Sequence, residues 1–98
     1  MERTQAWLDA LLAWDLDAAY AFYSPATREI YRKRDLAGAY AGARRWTSAE
    51  VDAASCEELR CEVRFYIEYE LVRPRLSNRR PLSITWVYSD DNWYLTRP

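Results

Sequence analysis

The stretch EVRFYIEYELV, residues 62–72, decides the fold. Val63, Phe65, Ile67, Tyr69 and Leu71 alternate with Glu62, Arg64, Tyr66, Glu68 and Glu70. A strand sends successive side chains to opposite faces, so a period of two predicts a half-buried β-strand with one wet face. Two similar runs follow, LSITWVYS over 82–89 and NWYLT over 92–96, and another strand is expected at about 48–56. The segment RPRLSNRRP (73–81) reads as the loop between the first two runs. SDDN (89–92) reads as a tight turn, because Asp and Asn side chains hydrogen-bond their own backbone.

Upstream the period is helical. AWLDALLAWD (6–15) places Trp7, Leu8, Leu11, Leu12 and Trp14 on one face. Asp15 or Asp17 can cap a short turn carrying Tyr20, Phe22 and Tyr23. Ser24-Pro25 then restarts a helix, serine as N-cap and proline at the first helical position, opening a short polar segment, ATREIYRKR. Asp35 is a plausible cap for one more helix over 36–46, where Gly38 and Gly42 each cost about 1 kcal/mol relative to alanine. Helices first and antiparallel strands second predict an α+β fold, with N-terminal helices packed on a curved antiparallel sheet of about four strands. The 98 residues, half of them hydrophobic, suit one domain over 1–98.

Both cysteines fall in SCEELRC, residues 55–61. If 48–56 and 61–73 are antiparallel neighbours, EELR (57–60) is a four-residue hairpin loop and Cys56 lies opposite Cys61, close enough for a disulfide. Free structural thiols are the alternative. Zinc would need two further ligands, and a redox motif normally has two intervening residues. An oxidised pair points to export, as into a periplasm. The parity is awkward: Cys61 shares a face with Val63 and Phe65, yet Cys56 shares parity with Asp52 and Ala54, leaving Val51 and Ala53 on the other face. Either a β-bulge shifts the first strand or its buried face is the other one.

Composition narrows the function. With no histidine, Ser-His-Asp and Cys-His catalysis and histidine metal sites are excluded. A net charge of −1 argues against a dedicated nucleic-acid or membrane-surface binder, and no uncharged run is long enough to span a bilayer. The charge is nonetheless blocked: −3 over 1–27, +4 over 28–49, −5 over 50–72 and +3 over 73–98.

The tryptophan-bearing first helix, AYAFYSPATR (19–28), the SCEELRCEVRFYIEY hairpin and the terminal DNWYL (91–95) resemble bacterial proteins of the nuclear-transport-factor-2-like superfamily, also called the SnoaL-like or cystatin-like cone fold. The resemblance spans nearly the whole chain. It implies a curved sheet wrapped on a helix to form a cone that often admits a small apolar ligand; some members are isomerases or dehydratases, others protein-binding modules. This chain is shorter than typical members, and its RKRDLAGAYAGARRW region (32–46) leaves little room for their extra strand or hairpin.

The leading expectation is non-enzymatic binding, of a small apolar ligand by Trp7, Trp14, Tyr20, Phe65, Tyr69 and Trp86, or of a protein partner. A homodimer would use the outer sheet face with Tyr66, Val72 and Val87. The alternative is an isomerase- or dehydratase-like enzyme with Asp15 as a desolvated base and Tyr20, Tyr40 or Tyr69 as donor, against the plainer reading of Asp15 as a helix cap. Arg73, Arg75, Arg79 and Arg80 could attract an anion, although an exposed loop explains them as well. No catalytic residue, metal or cofactor is assigned.

Overall fold

The computed structural model describes residues 2–70 and 77–97. Helices α1 (Glu2–Leu12), α2 (Leu16–Tyr20), α3 (Pro25–Ile30) and α4 (Lys33–Ala39) are followed by a 3₁₀ turn, Ala41–Arg45. Strands β1 (Trp46–Glu57), β2 (Arg60–Glu70), β3 (Ser77–Ser89) and β4 (Asn92–Leu95) form one antiparallel sheet in the order β1-β2-β3-β4. This is the expected α+β arrangement with a four-stranded meander.

The first helix starts ahead of its apolar pattern, at Glu2, and stops at Leu12, before the pattern ends. Trp14 ends it in the left-handed region, φ 54°. Its N–H donates to Leu11 O (2.9 Å) and the Asp15 N–H donates to Ala10 O (2.8 Å), the pair of bonds by which a helix closes on a left-handed residue. Asp15 then caps α2, its carboxylate accepting from Ala18 N at 3.2 Å. Ser24 caps α3 as expected, accepting from Thr27 N at 3.1 Å. Asp35 does not open a helix at Leu36. It sits three residues inside α4 and reaches back to the Arg32 N–H at 2.8 Å, because the helix starts at Lys33.

The β1 parity problem resolves as a bulge. Val51 pairs with Phe65 and Ala53 with Arg64, so Asp52 is the extra residue. Before it, Trp46, Ala49 and Val51 stand opposite Tyr69, Ile67 and Phe65 on the covered face; after it, Ala54 and Cys56 stand opposite Val63 and Cys61. The Asp52 carboxylate meets the Arg64 guanidinium at 2.6 Å. Cys56 and Cys61 are joined by a disulfide, with Cα atoms 4.0 Å apart. The hairpin is tighter than expected: Glu57 pairs with Arg60, leaving a two-residue turn, Glu58-Leu59.

The expected loop 73–81 is corrected at its end, since Ser77–Pro81 belong to β3. Pro81 is tolerated there because β4 pairs only with Trp86–Ser89, so the proline's missing N–H lies on an unpaired edge. Arg79 and Arg80 are therefore strand residues; Leu71, Val72, Arg73 and Arg75 lie outside the described residues.

The core sits between α1 and the inner sheet face. Trp7, Leu8 and Leu11 from α1, Val63 and Phe65 from β2, and Trp86 from β3 have no exposed surface. Thr4 on α1 accepts a hydrogen bond from Trp86 Nε1 at 2.8 Å, so these two buried polar groups satisfy each other.

The β3–β4 turn places Asp90 and Asp91 at φ 51° and 62°, the geometry of a type I′ hairpin turn that favours glycine at its second position. Asp91→Gly is therefore expected to stabilise the fold by about 1 kcal/mol, read as a higher urea midpoint with unchanged slope. A lower midpoint would contradict the turn.

Candidate functional site

Each aromatic residue expected to line a ligand site has a definite place. Trp7 packs edge-on against Tyr40 (5.1 Å between centroids) and Phe65 (6.2 Å). Trp86 packs edge-on against Phe22 at 5.8 Å, with the Arg3 guanidinium 5.7 Å from its ring centre. These two tryptophans and Phe65 are entirely enclosed. Trp14, Tyr20 and Tyr69 are half-buried. Trp14 lies under the Arg44 guanidinium at 5.3 Å. The Tyr20 hydroxyl sits 2.6 Å from Tyr31 O and 2.9 Å from Arg28 O, on carbonyls at the end of α3. Tyr69 stands between Trp46 and Asn78 across the sheet.

The proposed acid–base pair is not assembled. Asp15 is exposed and bonded to the α2 backbone, which is the role of a cap, and Tyr20 spends its hydroxyl on α3. Among the described residues, no group of three or more Cys, Asp and Glu side chains is placed to hold a metal ion.

A tyrosine cluster that periodicity did not single out lies beneath α2–α4. Tyr23 is fully buried and Tyr31 nearly so, their rings 5.3 Å apart. The two hydroxyls interact with each other without a well-formed hydrogen bond, and neither they nor the Trp7 indole N–H has another partner among the described residues. Burial is the main force pushing the Tyr23 hydroxyl far above the ordinary tyrosine range, with Tyr40 and Tyr31 adding to it. Burial likewise pushes Tyr40 up to about 12 and raises Tyr31. The sequence carries no signal for this, since Tyr23 and Tyr31 follow helix ends where neither period applies.

The outer face is built differently. Tyr66 on β2 lies under Arg79 at 4.4 Å, with Arg64 at 6.0 Å. Tyr66 and Arg79, together with Ser48, Glu50 and Glu68, line a shallow depression. Val87 stands on this face opposite Arg60.

By sequence the chain matches no family profile and no curated protein. By structure it is similar to a proposed NTF2-like transpeptidase from Campylobacter jejuni, with TM-score 0.70 and 8% identity over 96% of this chain and 94% of that one. It is also similar to SEC-C motif containing proteins. That from Psychrobacter arcticus gives TM-score 0.70 and 16% identity over 93% of this chain and 54% of that one. That from Rhodopseudomonas palustris gives 0.64 and 15% over 91% and 68%. At these identities the likeness speaks to the fold, and it agrees with the cone class expected from the sequence.

The buried tyrosines predict an alkaline instability. In the unfolded chain they ionise near pH 10, whereas in the folded chain Tyr40 holds its proton to about 12 and Tyr23 beyond. The unfolded state therefore binds fewer protons above pH 10, and stability falls there by about 1.4 kcal/mol per pH unit for each such group. Tyr23→Phe removes one group and one unpaired hydroxyl. It is expected to gain about 1 kcal/mol at neutral pH and to flatten the alkaline decline, as measured by urea unfolding from pH 7 to 11.5. A neutral-pH loss would contradict the reading of the Tyr23 hydroxyl as unpaired.

Proposed function

We propose that this domain, which has the nuclear-transport-factor-2-like fold, is a non-catalytic protein-interaction module that works through the outside of its sheet. The observation that carries the reading is the complete enclosure of Trp7, Phe65 and Trp86, which commits to packing the aromatic surface a small-molecule cavity would need. The outer face offers what the interior does not. Tyr66 is held in place by Arg79 and Arg64, and tyrosine and arginine are the residue types that most often anchor interfaces.

A second copy of the chain suits this face. Glu50, Glu62 and Glu68 alternate across the strands with Arg60, Arg64 and Arg79, so a two-fold axis near Tyr66 can set acid against base in both directions. The disulfide supports an oxidising compartment, such as a periplasm, as the place where this happens.

Sedimentation equilibrium of the oxidised chain from 10 to 500 µM tests the reading. A dimer is expected for the unaltered chain and a monomer for Tyr66→Glu. A monomer throughout that range, or a dimer indifferent to Tyr66→Glu, would overturn it.

A further inference from the structure

β1 is an edge strand, paired only with β2. Along an antiparallel edge the outward-facing backbone groups belong to every second residue. In the first half of β1 these groups are covered by a side chain: Gln5 on α1 donates from Nε2 to Ala49 O at 3.1 Å and accepts at Oε1 from Val51 N at 3.3 Å. One carboxamide thus occupies both sites that a neighbouring strand's peptide would use. Past the bulge the alternation resumes one residue out of step, so Ala54 and Cys56 turn their N–H and C=O outward. No protein group covers them among the described residues, and Ala53–Glu57 are all exposed.

This half of the edge carries few of the protections that edge strands normally have. It has no lysine or proline, and the bulge lies at its start and not within it. The disulfide and the two-residue turn fix its far end. It is therefore a straight, pre-ordered ladder edge with small side chains, Ala53, Ala54 and Ser55, that leave room for an incoming strand.

Its charge selects the occupant. Residues 50–58, EVDAASCEE, carry Glu50, Asp52, Glu57 and Glu58 and no basic residue. Pairing with β1 of a second copy would set Glu58 against Glu50 or Asp52 of the other chain when Ala54 lies opposite Ala54 or Cys56; the remaining two-fold register, Cys56 opposite Cys56, pairs only Ser55–Glu57 before the strand ends. Like charges directly opposed are destabilising. We infer that the Asp52–Glu57 edge of β1 is a docking site for an extended, basic segment of another protein, which adds to the sheet as a fifth strand beside Ala54 and Cys56. This shares with the function proposed above only the premise that the outside of the sheet is the working surface; it does not require the Tyr66 face or the dimer.

The test uses the oxidised full chain and an end-blocked nonapeptide alternating lysine with valine and threonine. Its controls are the same peptide N-methylated at alternate amides and a glutamate-for-lysine version. In ¹H–¹⁵N titrations the lysine peptide is expected to bind saturably, with the Ala54 and Cys56 amides moving most. The N-methylated peptide and the Ala54→Pro variant are each expected to weaken binding at least tenfold. The glutamate peptide should not bind, and Glu57→Lys with Glu58→Lys should weaken the lysine peptide several-fold. No saturation up to 1 mM, equal binding of the N-methylated peptide, or shifts centred on Tyr66 in place of Ala54 would overturn the inference. The last outcome would leave the sheet-face reading standing. Self-association abolished by Ala54→Pro would assign the edge to a second copy and equally overturn it.

Discussion

The structure depends on covering one row of side chains. Cys61, Val63, Phe65 and Ile67 project from the same face of β2, and all are buried. Left in water, that row would forfeit about 1.5–3 kcal/mol for each large apolar side chain. An 11-residue helix provides the cover, and the rest of the fold follows from its reach. Where α1 lies over the sheet, β1 turns Trp46, Ala49 and Val51 to the same face. Beyond it β1 bulges at Asp52, and Ala53–Glu57 stand in solvent. There a short covalent loop takes over from packing. Closing a loop of this size contributes about 2 kcal/mol by the chain-entropy account, enough to hold a hairpin but not to create a fold.

The helical layer accepts a cost in return. Four short helices and a 3₁₀ turn pack Tyr23, Tyr31 and Tyr40 near Trp7, and hydroxyls at Tyr23 and Tyr31 go unpaired. A buried polar group without a partner costs about 1–3 kcal/mol. Tyr20 shows the other solution, its hydroxyl placed on the carbonyls that end α3. Tyr20 closes α2, whereas Tyr23 lies beyond that helix and Tyr31 caps α3.

Much of this was legible in the residues. Alternation in 62–72 marks β2 and its inward face, Ser24-Pro25 marks the start of α3, and the parity conflict between Cys56 and Val51 leaves a bulge as one of two readings of β1. The pairing of Cys56 with Cys61 and the capping role open to Asp15 are also readable. What could not be read depends on distant partners. Ser77–Pro81 look like a loop because proline usually ends strands, and only the shortness of β4 makes that position permissible. Gln5 carries no local signal at all; its role exists because α1 runs beside the edge of β1. The six aromatics offered as pocket residues have a period that is the same whether they line a space or fill it.

Taken together, the large aromatic side chains described between α1 and the sheet fill that space, and the outside carries an aromatic–arginine stack on one face and an acidic ladder edge on one side. The most direct test of that account is hydrogen exchange at the Trp86 indole N–H, which joins helix to sheet through Thr4. A closed interior predicts that this proton exchanges only through global unfolding, with the full denaturant dependence of the unfolding reaction. Exchange through a smaller opening, insensitive to denaturant and faster than global unfolding allows, would show that the space between helix and sheet admits solvent and would contradict the account.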